Sequence, residues 1–259
     1  QKMRNLKLLD LDNRLGKAPG GYQSALNELR LPFIFMNSVG TTGDLFTLLH
    51  EGGHSFHQFL MAPIDLIAER EPPLEFAEVA SMSMELLGLE QLHRFYPPEV
   101  VERIRREQLE AIPGLFCWIA QIDAFQIWLY QHPEQSRQER YNCWLDLDRR
   151  FGPGEIVDWS DLENFREISW QKQLHLFEVP FYYIEYGIAQ LGALQVWDNS
   201  TKHHAEAVDN YTAALSMGGK LSLKELFTKA GIAFGMDQAT FTPLLNSLTK
   251  ELNLESLNG

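Results

Sequence analysis

The sequence predicts a mainly α-helical fold with a small β element near the N-terminus. Helical patterning dominates the 259-residue chain, and runs typical of strands occur only near its start. The chain has neither an internal repeat nor a low-complexity linker, and its length fits one large domain or two small ones. Its hydrophobic content of 45% is enough to bury a core of normal size.

The two strand-like runs lie at residues 7–11 and 31–36, and Pro32 stands at the start of the second, where strands tolerate proline. Residues 15–22 contain three glycines and are predicted to form a loop between the two strands. We also expect that residues 33–37 could pair with a peptide backbone by strand addition. A substrate-bound structure without main-chain pairing at this segment would reject that hypothesis.

The remaining elements are predicted helices. Thr41 followed by Asp44 resembles a capping box, which opens a helix that ends near Met61. A second helix lies between the proline pairs at 72–73 and 97–98. A third spans 99–130 and is predicted to bend at Pro113. Further helices are expected at roughly 135–150, 160–173, 181–197, 204–215 and 222–230.

Charge and cysteine content narrow the choice of partners. The net charge is −13, and the 22 lysines and arginines form no dense run, so a nucleic-acid partner is not expected. We expect no membrane partner either, because no apolar run is judged long enough to span one. Cys117 and Cys143 lack the spacing of a disulfide or zinc pair, so we expect both to be reduced and the protein to be cytoplasmic.

The segment His50-Glu51-Gly52-Gly53-His54 predicts a metal site. Residues four apart share one face of a helix, so His50 and His54 can point two imidazoles at one ion. A catalytic zinc takes three protein ligands and a water. Glu51 lies about 100° further round the helix, from where it can reach that water as a general base. A chance match of this pattern is expected on the order of 1% of the time.

The two glycines inside this helix are unfavourable there, each by roughly 1 kcal/mol relative to alanine. Their presence therefore needs a physical reason. We expect a strand or a substrate backbone to approach the metal closely at Gly52 and Gly53.

The third ligand must come from elsewhere in the chain. The metzincin pattern fails, since Leu60 stands where its third histidine belongs, and His57 is expected to be packed or to support a ligand. Glu78 lies in an apolar stretch, where a carboxylate needs either a metal or a salt bridge. For Glu85 we favour a hydrogen bond to a ligand histidine. The acidic candidates are Asp65, Glu69, Glu71, Glu75, Glu78 and Glu85.

These residues together resemble the oligoendopeptidase F family, a branch of the thimet-oligopeptidase-like zinc peptidases. The resemblance is carried by residues 48–57 (LLHEGGHSFH), 76–81 (FAEVAS), 16–22 (GKAPGGY), 32–37 (PFIFMN) and 180–190 (PFYYIEYGIAQ). It implies a zincin-like helical catalytic domain with one Zn²⁺ per chain, held by His50, His54 and Glu78. Residues 1–259 are then expected to form a single catalytic domain without the family's N-terminal helical lobe.

A second cluster of candidates lies between His175 and Tyr186. Tyr183 and Tyr186 share a helix face, and by themselves these aromatic residues would favour a buried core stripe. The resemblance implies instead that a histidine and a tyrosine here contact the substrate and the oxyanion. We assign that role first to His175 and Tyr186, then to Tyr183.

The predicted function is that of a zinc endopeptidase, with short peptides as substrates and zinc-activated water as nucleophile. Two alternatives stay open. One is a non-catalytic zinc-binding fragment or interaction module that needs a missing N-terminal lobe; the other is a different zincin, such as an exopeptidase. Expected partners beyond the peptide are that N-terminal lobe or a second copy of the chain, because an exposed channel wall would be apolar.

Overall fold

In the computed structural model, which describes residues 1–254 apart from the side chain of Glu155, helices make up most of the chain, as predicted. The strands are β1 (Leu9–Asp12), β2 (Tyr22–Leu26) and β3 (Leu31–Ser38). The α-helices are α1 (Lys2–Asn5), α2 (Thr42–Met61), α3 (Leu74–Gly88), α4 (Pro98–Gln131), α5 (Arg137–Phe151), α6 (Glu163–Glu167), α7 (His175–Glu178), α8 (Tyr183–Leu215), α9 (Leu223–Lys229) and α10 (Gln238–Glu251). Short 3₁₀ turns lie at Ile67–Arg70, Leu89–Arg94, Gly154–Ile156, Ser169–Lys172 and Gly218–Lys220.

The predicted capping box at the start of α2 is confirmed. Thr41 is the N-cap, and the carboxylate of Asp44 accepts hydrogen bonds from the backbone N–H groups of Thr41 at 2.7 Å and Gly40 at 2.6 Å. These bonds satisfy backbone donors that the first turn of a helix leaves without a partner. The start of α2 is therefore set by residues within one turn of it.

Several helices differ from the prediction, and the short helices α1 and α7 were not expected. The helix expected at 160–173 consists of α6 and a 3₁₀ turn, and α10 was not predicted. The two helices expected at 181–197 and 204–215 are confirmed, since α8 consists of two helical segments that meet at a kink at His203, where φ is −143° and ψ is 70°. Pro113 lies inside α4 and does not end it, and the bend expected there stays a prediction.

The sheet has the order β1-β3-β2, with β1 parallel and β2 antiparallel to β3. The loop predicted at 15–22 thus ends one residue early, because Tyr22 begins β2 and its ring stacks on Phe35 at 4.9 Å. Phe35 pairs with Asp10 on one side and with Tyr22 on the other. The hypothesis of strand addition is therefore wrong at Ile34 and Phe35, where both edges of β3 are occupied, and it stays a prediction for 36–37, which lie beyond the pairing with β2.

A buried lysine in the loop between β1 and β2 links that loop to the sheet. The Lys17 side chain is 1% exposed, and its ammonium donates to the backbone oxygens of Asp12 at 2.8 Å and Met36 at 2.5 Å. It also lies 3.1 Å from Oδ1 of Asp10 and 4.4 Å from the ring centroid of Phe35. A buried charge needs such partners, so Lys17 ties β1 and β3 together below the loop.

Helix α2 crosses α3 at very short range. A Cβ atom added to Gly53 would lie 2.6 Å from the carbonyl oxygen of Ala80 and 2.6 Å from Cα of Ser81. The expectation that a strand or substrate approaches at this glycine is wrong, because the neighbour is the α3 backbone. Among the described residues, nothing lies within 4 Å of a Cβ on Gly52, so packing gives no reason for that glycine.

The described chain divides into two compact units, one formed by Gln1–Glu107 with the chain from Ile188 onward and the other by Gln108–Gly187. Each has its own buried cluster. The first includes Phe76, Val79 and Ala80 of α3 with Leu226 and Phe227 of α9. The second is built from Ile122, Phe125, Trp144, Trp170 and Leu176. The assignment of residues 1–259 to a single catalytic domain stays a prediction.

Among residues 1–254, one helix is long and apolar enough to cross a membrane by length and composition alone, namely α4. The statement that no apolar run reaches this length is therefore wrong. About a third (33%) of the apolar stretch of α4 is buried in the protein, and a core helix of a soluble protein passes the same test. This helix is a weak indication of a membrane partner, and the absence of one stays a prediction.

Candidate metal centre

Two histidines of α2 and one glutamate of α3 converge in the first unit. Nε2 of His50 lies 3.3 Å from Oε2 of Glu78, and Nε2 of His54 lies 3.7 Å from the same oxygen. One donor atom from each of the three residues lies within 4.8 Å of the others. In the part of the chain that the structure describes, this is the group of histidine, cysteine and acidic residues close enough to share one ion.

The donor set fits zinc. Zinc binds imidazole nitrogen and carboxylate oxygen at about 2.0–2.2 Å, so donors at tetrahedral angles lie roughly 3.3–3.6 Å apart. The distances from Glu78 to His50 and His54 match this spacing within a few tenths of an ångström. The side chains are 11–25% exposed, so solvent can reach the site.

The other acidic candidates do not join this cluster. Asp65 lies 3.5 Å from Arg30, and Glu69 lies 3.6 Å from Lys220, so each has a cation as its partner. Glu85 does lie at the site, but on the far side of a histidine: its Oε1 is 2.7 Å from Nδ1 of His50. A carboxylate at Nδ1 orients the ring and leaves Nε2 directed at Glu78.

Ser81 is a site residue that the sequence reasoning missed. Its hydroxyl donates to Oε2 of Glu78 at 2.8 Å and also lies 3.0 Å from the Glu78 carbonyl oxygen. Because both residues are on α3, three positions apart, helical spacing could have identified this contact. The bond helps to fix the Glu78 carboxylate.

The protonation states follow from burial and neighbouring charge in the metal-free chain. Burial opposes the charged form of His50, but its hydrogen bonds with Glu78 and Glu85 outweigh that effect and raise its pKa to about 10. Burial lowers the pKa of His54 to about 4. Burial alone would raise the pKa of Glu78, yet the hydrogen bond with His50 and the charge of His54 bring it below the ordinary value. Glu78 is thus an anion and His54 a neutral donor.

Glu51 occupies the position that the sequence assigns to a general base. It is 7% exposed, and burial raises its pKa above the ordinary value, while the charge of His50 partly counteracts the rise. The backbone N–H of Gln23 in β2 also bonds to its carboxylate. A carboxylate with a raised pKa accepts a proton more readily near neutral pH.

His57 is packed in the protein interior, which is one of the two roles expected for it. It is 2% exposed, its ring centroid lies 6.4 Å from that of Phe76, and burial lowers its pKa to about 3. A neutral histidine in this environment is part of the core.

The second candidate cluster lies in the other unit, where the structure brings His175, Tyr183 and Tyr186 together. The ring centroids of Tyr183 and Tyr186 are 5.1 and 5.8 Å from that of His175. The Gln173 amide nitrogen lies 2.6 Å from Nδ1 of His175, and Nε2 lies 3.4 Å from the hydroxyl of Tyr186. With the amide donating to Nδ1, the ring proton is placed on Nε2, directed at Tyr186.

The hydroxyl of Tyr183 accepts a hydrogen bond of 3.0 Å from the indole N–H of Trp118. Burial raises the pKa of Tyr183, so this tyrosine stays protonated at neutral pH. Sequence reasoning missed Trp118, which is 65 positions away, and no local pattern could have linked the two.

Comparison with known proteins places these features in context. The model of Peptidase family M3 matches residues 1–242. Oligopeptidase PepF of Bacillus subtilis is 26% identical over 232 residues, which are 86% of this chain and 33% of the relative. The chromosomal oligoendopeptidase F of Lactococcus lactis subsp. cremoris is 33% identical over 237 residues, or 86% of this chain and 37% of the relative.

A solved structure of PZ peptidase A with an inhibitor is also similar, with a TM-score of 0.86 and 29% sequence identity. The match covers 97% of this chain and 44% of that one. The chain thus spans about a third of the length of the curated relatives it matches.

Proposed function

The chain belongs to peptidase family M3, in its oligoendopeptidase F branch, and from this we propose that it is the catalytic part of a zinc-dependent oligoendopeptidase. The single observation that carries the proposal is the convergence of His50, His54 and Glu78 within 4.8 Å, with Glu51 next to the first histidine.

In this proposal His50, His54 and Glu78 hold the ion, Glu85 orients His50, and Ser81 holds the Glu78 carboxylate. Zinc, when bound, would supply a Lewis acid for the scissile carbonyl and lower the pKa of water. The chain's own acid–base group is Glu51, which accepts the proton of the attacking water and later delivers it to the leaving amine. Its raised pKa suits both transfers.

The oxygen of the scissile carbonyl gains negative charge during the attack, and hydrogen-bond donors aimed at it would lower the barrier. We assign this role to Tyr186 and His175, with Tyr183 as a further candidate. The support for the assignment is that their side chains cluster and that Tyr183 stays protonated at neutral pH. Substrates would be short, unstructured peptides, in line with the names of the relatives.

The test replaces Glu51 by glutamine, which keeps the shape of the side chain and removes its basicity. We expect one zinc per chain in both the wild type and Glu51→Gln, together with loss of cleavage of an internally quenched peptide in the variant. Glu75→Gln in the first turn of α3 is the control and should cleave like the wild type. Substantial cleavage by Glu51→Gln would reject Glu51 as the base, and a wild type without zinc would reject the metal site.

A further inference from the structure

A cavity of about 410 Å³ lies at the start of α5, within the unit Gln108–Gly187. It shares no residue with the metal cluster or with the His175 cluster. Its volume is in the range of small-molecule sites. The lining residues are Arg137, Arg140, Tyr141, Ile168, Trp170 and Gln171.

The cavity concentrates positive charge in a chain whose net charge is −13. Arg137 and Arg140 are three positions apart in the first turn of α5, where the helix dipole is also positive. Among the side chains that the structure describes, no carboxylate lines the cavity. One acid adjacent to Arg140 in sequence, Glu139, is engaged as a cap, since its carboxylate accepts hydrogen bonds from the backbone N–H of Ser136 at 2.8 Å and from the Ser136 hydroxyl at 2.7 Å.

Two of the lining residues hold buried donors that lack an acceptor among the side chains and backbone described for this unit. They are Nε of Arg140 and the indole Nε1 of Trp170. Trp170 is only 6% exposed. The contrast with a neighbouring tryptophan is direct, since Nε1 of Trp144 donates to the Ser169 hydroxyl at 2.9 Å. A buried donor without an acceptor is unfavourable, so a ligand with acceptor oxygens in this cavity would gain by satisfying it.

We propose that this cavity binds a small oxyanion, either a carboxylate or a phosphate group. Arg137 and Arg140 supply the charge-assisted hydrogen bonds, and the Trp170 indole N–H and the Gln171 amide supply neutral donors. Ile168 and the Trp170 ring form an apolar wall for an organic substituent on the anion. The proposal does not depend on the zinc chemistry, because none of these residues belongs to the metal cluster.

The experiment follows the indole N–H signal of Trp170 in proton–nitrogen correlation spectra, identified as the signal lost in Trp170→Phe. The probes are inorganic phosphate, N-acetyl-phenylalanine and N-acetyl-phenylalanine amide, each titrated into the full chain. We expect a saturable shift with phosphate or with the acid and none with the uncharged amide. A response to phosphate alone identifies a phosphate site, and a response to the acid alone identifies a carboxylate site.

The arginine variants provide the decisive comparison. Arg140→Gln should weaken binding of the anion by roughly tenfold or more. Arg137→Gln, at an exposed position, should also weaken it. Arg103→Gln, which removes the same charge from α4 in the other unit, should bind like the wild type. The proposal is overturned if no probe shifts the signal, if the amide binds as tightly as the acid, or if both cavity variants bind like the wild type.

Discussion

Nδ1 of His50 lies 2.7 Å from Oε1 of Glu85, a residue 35 positions further along the chain. The two side chains come from α2 and α3, so their contact joins the two helices at the metal centre. Since a carboxylate at Nδ1 holds the ring and makes the other nitrogen a better donor, Glu85 should control how tightly the ion is bound.

Replacing Glu85 by alanine should therefore weaken zinc binding by about 10–100-fold, without removing any of the three donor atoms. Glu85→Gln should lose less zinc affinity than Glu85→Ala, because the amide oxygen can still accept a hydrogen bond from Nδ1 of His50. Competition with a chromophoric zinc chelator measures both affinities. Glu75→Ala, on the same helix, is the matched control, and an unchanged affinity in Glu85→Ala would show that the contact does not support the ion.

Zinc binding should depend on pH through one histidine. In the metal-free chain the pKa of His50 is about 10 and that of His54 about 4, and zinc binds only neutral imidazole. Between these two values His50 must release a proton while His54 is already neutral. The apparent affinity should then rise about tenfold per pH unit over this range and level off above it.

Calorimetry in two buffers with different protonation enthalpies counts the protons released. One proton per zinc is the expected value at pH ~6, where zinc-bound water, with a pKa of about 7, is still largely protonated. A release close to zero would mean that the neighbouring carboxylates do not hold a proton on His50, and a release of two would contradict the low pKa of His54.

The adjacent glycines of α2 should respond to alanine with opposite signs. Gly53→Ala forces a Cβ to 2.6 Å from the Ala80 carbonyl oxygen, so the free energy of unfolding should fall by about 1–3 kcal/mol. Gly52→Ala meets nothing within 4 Å and should raise it by up to about 1 kcal/mol, because alanine favours the helix. Urea denaturation of both variants measures the difference. An unchanged or raised free energy of unfolding in Gly53→Ala would refute the packing explanation for Gly53.

Tyr186→Phe tests the oxyanion assignment. Removing one donor to a developing negative charge should lower kcat by about 10²–10³-fold with little change in KM. Zinc content should stay at one ion per chain, and Tyr130→Phe, at an exposed tyrosine of α4, should have no effect. If kcat changes by less than about twofold, the tyrosine cluster is structural and the oxyanion is stabilised elsewhere.

Much of the fold could be predicted from local signals. The capping box of Thr41 and Asp44 and the extent of α2 to Met61 depend on contacts within a few residues, and they are found where expected. Strand β2 was missed because its sequence, Tyr22–Leu26, has little β character and is half exposed. It exists because it pairs with β3 and because Tyr22 stacks on Phe35, neither of which a local pattern contains.

The sequence by itself determined that His50 and His54 share one helix face and where Glu51 lies relative to them. An α-helix places residues four apart on one face whatever surrounds it. It also limited the third metal ligand to six acidic candidates and, through the family resemblance, to Glu78.

Only the tertiary structure decided how these carboxylates are arranged, with Glu78 beside both histidines and Glu85 behind His50. That arrangement depends on how closely α2 and α3 approach, which Gly53 permits at the Ala80 backbone. The distance between two helices is set by side chains and backbone that meet only when the chain is folded, and no periodicity in the sequence encodes it.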